Sequence, residues 1–116
     1  MSEYIMYHKP NCSTSLGALK MLKEKGIKPE LRLYLENPPT QKELSELLKK
    51  LGYRKALQLV RTKEKLYQEQ YKDKKLLKQD WLRILSQNPI LIERPILIKG
   101  DKAILGRPPE EFLKLL

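Results

Sequence analysis

The sequence predicts an α/β fold with a four-stranded mixed sheet. Three observations point to it: β-type runs open the chain, β-type runs return near its end, and stretches of helical periodicity lie after the first run and between the two sets. At 116 residues the chain has room for one core, so it reads as a single domain over 1–116 with a helical insertion at about 40–88.

The elements follow in order. Glu3 to Tyr7 (EYIMY) is a short strand, and Leu16, Leu19 and Leu22 then recur at helical spacing until Lys25-Gly26-Ile27. Gly26 suits the left-handed stop of that helix, with Ile27 packing back. Leu31, Leu33 and Leu35 alternate with Arg32 and Tyr34 as in a half-buried strand with the leucines inward, which completes a β-α-β unit and implies a parallel pair. After Pro38-Pro39, Thr40 and Glu43 form a capping box, Leu44, Leu47, Leu48 and Leu51 line one helix face, and Gly52 ends it. Further helices are predicted around Lys63 to Tyr71 and from Leu77 to Gln87, the second with Trp81 and Leu85 on one face and a stop at Asn88-Pro89. Ile96-Leu97-Ile98 and Ala103-Ile104-Leu105 flank a tight hairpin turn centred on Gly100-Asp101. Arg107-Pro108-Pro109-Glu110-Glu111 opens a closing helix with Phe112, Leu113 and Leu116 facing inward. The order β-α-β, helical block, β-β-α is the thioredoxin-like arrangement.

Composition narrows the function. There is no apolar run of bilayer length and no apolar N-terminal leader, so a soluble, cytoplasmic protein without membrane contact is expected. A single cysteine and a single histidine exclude an internal disulfide and give no cluster for zinc, so no bound metal or cofactor is expected. The net charge of +10 permits an anionic partner. However, 18 of the 24 basic residues are lysines, spread through KMLKEKGIK, KKLGYRK and YKDKKLLK beside acidic residues, as on solvated helix surfaces. With aromatic content at 7% and no basic run interleaved with aromatics, nucleic acid is not the expected partner.

The chemistry concentrates in YHKPNCSTS, residues 7–15. Cys12 falls between the first strand and the first helix, where free backbone N–H groups and the helix dipole favour a thiolate. A lone cysteine elsewhere is often a small buried apolar residue, but Pro10, Asn11, Ser13, Thr14 and Ser15 are loop and cap residues. The neighbours therefore favour a reactive sulfur. Ser15 stands where a C-x-x-C motif would place the second thiol. For His8 two readings stay open: lowering the Cys12 pKa or orienting the thiol, and plain backbone hydrogen bonding at a strand end.

YHKPNCSTS, YLENPPTQKEL, LVRTKE, NPILIERPILI and GRPPE together resemble the arsenate reductase family of the thioredoxin-like superfamily, in its single-cysteine, glutaredoxin-coupled branch. The resemblance spans nearly the whole chain. It implies that Cys12 is the nucleophile, that Arg61, Arg94 and Arg107 gather around it to bind arsenate or a similar tetrahedral oxyanion, and that Ser13, Thr14 and Ser15 form the anion loop. Planar guanidinium groups suit such an anion because they offer forked donors and keep their charge. Arg94 and Arg107 each precede a proline, which fixes the backbone that aims them, and Pro95 resembles the cis-proline of thioredoxin-like folds. The electron donors implied are glutathione as co-substrate and a glutaredoxin. Arg54 and Arg83 read as ordinary surface charges.

The chain departs from the family pattern at Lys9, where asparagine is usual, and at Leu16, where arginine is frequent. Both bear on affinity for the anion, and Lys9 restores some charge. Two other functions share the fold: a glutathione-dependent thiol oxidoreductase with a different substrate, and a non-enzymatic regulator of the Spx type that binds RNA polymerase. Regulators of that type commonly carry C-x-x-C, and Ser15 argues against one here.

Overall fold

A computed structural model describes residues 3–116. The chain forms two compact units, one from the N-terminal segment to Asn37 together with Arg94–Leu116, the other Pro38–Glu93.

The first unit is a mixed sheet covered by helix. Its strands are β1 (Tyr4–Tyr7), β2 (Glu30–Arg32), β3 (Ile96–Lys99) and β4 (Lys102–Leu105), in the order β2-β1-β3-β4. β1 runs parallel to β2 and antiparallel to β3, and β3 is antiparallel to β4. The parallel pair needs a crossover, supplied by α1 (Ser13–Glu24), so the predicted β-α-β unit and the thioredoxin-like order are both present. One face of the sheet is sealed by a cluster of Tyr4, Met6, Leu97, Ala18, Leu19, Leu22 and Phe112, all less than 10% exposed. Burying a leucine or phenylalanine in this way contributes about 1.5–3 kcal/mol each.

The hairpin holds its register through a two-residue turn. Lys99 pairs with Lys102 and Ile96 with Leu105, and Gly100 takes a positive φ of 60°, which a side chain would resist. The ladder then runs one pair beyond the strands, because the Gly106 N–H donates to the Pro95 carbonyl at 2.8 Å.

Two expectations for this unit need correction. β2 ends at Arg32, because the Leu33 carbonyl accepts from the Glu36 and Asn37 amides and turns the chain. The leucines do not form the inward face: Leu31 and Leu35 are exposed and Leu33 is half-buried, while Tyr34 is fully buried and stacks on Tyr7 at 6.0 Å. At the C-terminus a 3₁₀ segment, Pro109–Leu115, replaces the expected α-helix. Residues three apart share a face in a 3₁₀ turn, so Phe112 and Leu115 meet the core and Leu113 and Leu116 are exposed.

The second unit is helical. α2 (Gln41–Leu51) begins with the predicted capping box, in which Thr40 Oγ1 accepts from the Glu43 amide at 3.1 Å and Glu43 Oε1 from the Thr40 amide at 3.0 Å. Leu44, Leu47 and Leu48 are buried. α3 is short, Lys65–Gln70, and α4 runs Lys78–Gln87 with Trp81, Ile84 and Leu85 buried. Of the lysines of YKDKKLLK, Lys72, Lys74 and Lys75 do not lie on a helix surface as expected, and Lys78 alone begins α4. Residues 71–77 are turn and irregular chain between α3 and α4, because the Tyr67 carbonyl takes both the Tyr71 and Lys72 amides and closes α3.

Packing around the hairpin predicts opposite fates for two glycines. A Cβ on Gly106 would stand 2.6 Å from Phe112 Cε1, whereas one on Gly17, in α1, meets nothing within 4 Å. Gly106→Ala is expected to cost about 1–3 kcal/mol in urea unfolding through overpacking, and Gly17→Ala to gain about 0.5–1 kcal/mol from helix propensity.

Candidate active site

Cys12 occupies the N-cap of α1, with extended backbone (φ −102°, ψ 122°) that leaves the first amides of the helix facing the sulfur. It is half-buried. Burial by itself raises the thiol pKa, but the Ser15 amide, the Arg94 guanidinium and the Thr14 amide, acting on the sulfur by hydrogen bonding and charge, together bring it below the ordinary thiol value. The sulfur makes no cap hydrogen bond of ordinary geometry. The amides act as dipoles aimed at a negative charge.

Arg94 is 6% exposed, and its Nε has no hydrogen-bond partner among the described residues. No carboxylate pairs with it among them. A buried cation in that state favours a nearby anion, and the Cys12 sulfur, whose pKa the Arg94 guanidinium lowers, can supply one. Arg107 braces the same segment, its Nε donating to the Arg94 carbonyl at 2.7 Å. The hairpin explains the pairing: with Gly106 opposite Pro95, the next pair of the ladder sets Arg107 opposite Arg94. The Arg94-Pro95 and Arg107-Pro108 peptide bonds are cis.

His8 and Ser15 form a second layer. His8 Nδ1 and Ser15 Oγ lie 2.6 Å apart, both residues buried, and Ser15 Oγ also accepts from the Lys9 amide at 3.2 Å. The Ser15 side chain is thereby occupied, so its amide is what faces the sulfur. Burial first, and the Lys23 charge second, lower the His8 pKa below 6.5, which leaves the ring neutral. The ring contacts the Ser15 hydroxyl, and the lowered pKa disfavours a charged imidazole beside Cys12. Thr14 is half-buried and Ser13 exposed.

The structure thus brings Cys12, Ser15, His8, Arg94 and Arg107 together in the first unit. Arg61 lies in the second, with Nε 3.3 Å from Glu64 Oε2, out of line for a hydrogen bond, and Nη1 3.9 Å from Glu93 Oε1. Sequence reasoning anticipated free helix-start amides at Cys12, which are those of Thr14 and Ser15, but missed the two carboxylates on Arg61 and the cross-ladder pairing of Arg94 with Arg107. The last had a signal, since the two Arg-Pro dipeptides flank the hairpin symmetrically.

Fold and site together define a thioredoxin-like protein with one activated thiol beside a buried guanidinium that no carboxylate pairs with among the described residues. The model of the ArsC family matches residues 7–115, and the chain belongs to that family. It is 44% identical to the arsenate reductase of Haemophilus influenzae over 113 residues, covering 97% of each chain. It is 40% identical to the arsenate reductase of Neisseria meningitidis serogroup A over 117 residues, covering 100% of each. Among solved structures, the arsenate reductase of Vibrio cholerae superposes with a TM-score of 0.93 at 38% identity, covering 97% of each chain.

Two titrations test the electrostatics. Iodoacetamide alkylation of Cys12 should show its half-maximal rate at a pH below that of a free thiol, and Arg94→Ala should move that midpoint upward; an unmoved midpoint would remove Arg94 from the scheme. For His8, the unfolded chain takes up a proton at a pH where the folded one does not, so the stability it contributes is full above about 6.5 and declines as pH falls through that value. Urea unfolding across that interval should show a smaller decline in His8→Gln than in the unaltered chain.

Proposed function

We propose that the protein is an arsenate reductase of the single-cysteine kind, an oxidoreductase acting on arsenate with glutathione and a glutaredoxin as reductants. One observation carries the reading: a buried guanidinium, with no carboxylate partner among the described residues and one unpartnered N–H, sits on an activated sulfur. That geometry suits a tetrahedral oxyanion held against a nucleophile. The arsenate reductase names of close relatives support the same substrate.

The chemistry follows from the residues. Cys12 thiolate attacks arsenic, forming an S–As bond, and one arsenate oxygen leaves as water after protonation. The charge left on the remaining oxygens is met by Arg94 and by the Thr14 and Ser15 amides, with Arg107 holding the Arg94 backbone in place. The chain has no second thiol to resolve this adduct. Glutathione thiolate then attacks the Cys12 sulfur, the S–As electron pair passes to arsenic, and arsenite leaves with arsenic reduced by two electrons. A glutaredoxin thiolate takes the glutathione from the Cys12 mixed disulfide and returns the thiolate. Arg61 is engaged by Glu64 and Glu93 in its own unit, and the scheme assigns it no step.

The test is a coupled assay that follows NADPH oxidation with glutathione, glutathione reductase and glutaredoxin. Arsenate should raise the rate. Cys12→Ser should abolish the arsenate-dependent part while urea unfolding stays near that of the unaltered chain, and Arg94→Ala should lower it by about a hundredfold, as loss of one strong oxyanion donor does. Equal rates with and without arsenate would transfer the reading to a thiol oxidoreductase for another substrate.

A further inference from the structure

The second unit carries a groove of about 520 Å³ that the proposed reaction does not use. Its rim is cationic, built by Arg54, Lys55, Lys72, Lys74, Lys75 and Lys78. All six are exposed, and none forms an ion pair among the described residues. Four of them fall within the eight residues YKDKKLLK, where the one acidic residue is Asp73. Like charges held this close repel one another, and a bound anion relieves that repulsion.

The floor has the opposite character. Tyr67 and Trp81 stack at 6.3 Å and 25°, flanked by Ala56. Leu57 and Leu77, also lining the groove, are 42% and 65% exposed and add apolar surface to it. The irregular backbone of 71–77 carries Lys72, Lys74 and Lys75, α4 begins with Lys78, and Arg54 and Lys55 lead into the 3₁₀ turn Ala56–Leu59.

We infer that this groove is a docking site for an acidic polypeptide segment that carries a bulky apolar side chain. Carboxylates of such a segment pair with the rim while the apolar group fills the floor and covers Leu57 and Leu77. Charge complementarity and the apolar lining have to be met by the same partner. Single-stranded nucleic acid meets only the first, because Tyr67 and Trp81 are stacked on one another and less than 10% exposed, with no open ring for a base. An anionic bilayer is flat and would touch the rim while leaving the concave floor empty.

Trp81 is the single tryptophan of the chain, so the groove contains its own reporter. The intact protein is titrated with a fluorescein-labelled helical peptide of glutamate and leucine. Saturable binding, a change in Trp81 emission and weakening by salt are expected. Binding should fall at least about tenfold in Lys72→Glu/Lys75→Glu, and by a similar factor in Leu57→Ser/Leu77→Ser. The substituted side chains are exposed, and far-UV circular dichroism confirms that each variant is folded. Three parallel titrations use polyglutamate of equal charge, oligothymidylate, and phosphatidylserine vesicles. The inference is overturned if the glutamate–leucine peptide fails to saturate, if polyglutamate binds equally well, or if oligothymidylate or the vesicles bind more tightly.

Discussion

A guanidinium buried beside a half-buried sulfur is the interaction on which the first unit depends. Arg94 brings a full positive charge into the protein with no carboxylate to answer it among the described residues, and leaving a buried charge uncompensated costs several kcal/mol. The deficit is reduced when Cys12 ionises, and in the proposed reaction a bound oxyanion would reduce it again. The proposed nucleophile and the proposed binding site are thus two responses to one electrostatic demand. This is why the lone cysteine needs no second thiol beside it to become reactive: the N-cap amides and Arg94 supply what lowers its pKa.

Much of this arrangement was legible in the sequence because it rests on local signals. A cysteine between a β run and a helical repeat has to fall at a helix mouth, and Thr40 with Glu43 has to cap α2. Gly100-Asp101 between two apolar triplets closes a hairpin. What was not legible depended on long-range partners. Tyr34 looked like the outward residue of a strand until Tyr7 offered it a ring to stack on. Leu113 and Leu116 fitted an α-helical face, but the last segment winds as a 3₁₀ helix and moves the inward positions to Phe112 and Leu115. Ser15 seemed a ready ligand for an anion; His8 and the Lys9 amide had already claimed its hydroxyl. Spacing along a chain does not report which hydrogen bonds are spent.

The positive charge is arranged in two physically different ways. Arg94 and Arg107 are few, braced and in contact with carbonyl or sulfur, as suits a planar group that recognises through fixed geometry. The groove lysines are many, exposed and on flexible stems, as suits a field that attracts without dictating orientation. A net charge of +10 therefore says little until it is divided between these two populations.

The hairpin also has a consequence for how the molecule tolerates change in length. Because Arg94 and Arg107 continue the ladder that joins Ile96 to Leu105, the bend at Gly100-Asp101 works as a ruler for two side chains far along the ribbon from it. A single extra residue in that bend would slide β4 by one step, and alternation in a strand has a period of two. Every side chain beyond it would change face, and the brace on the Arg94 carbonyl would be lost without any residue of the site having been touched.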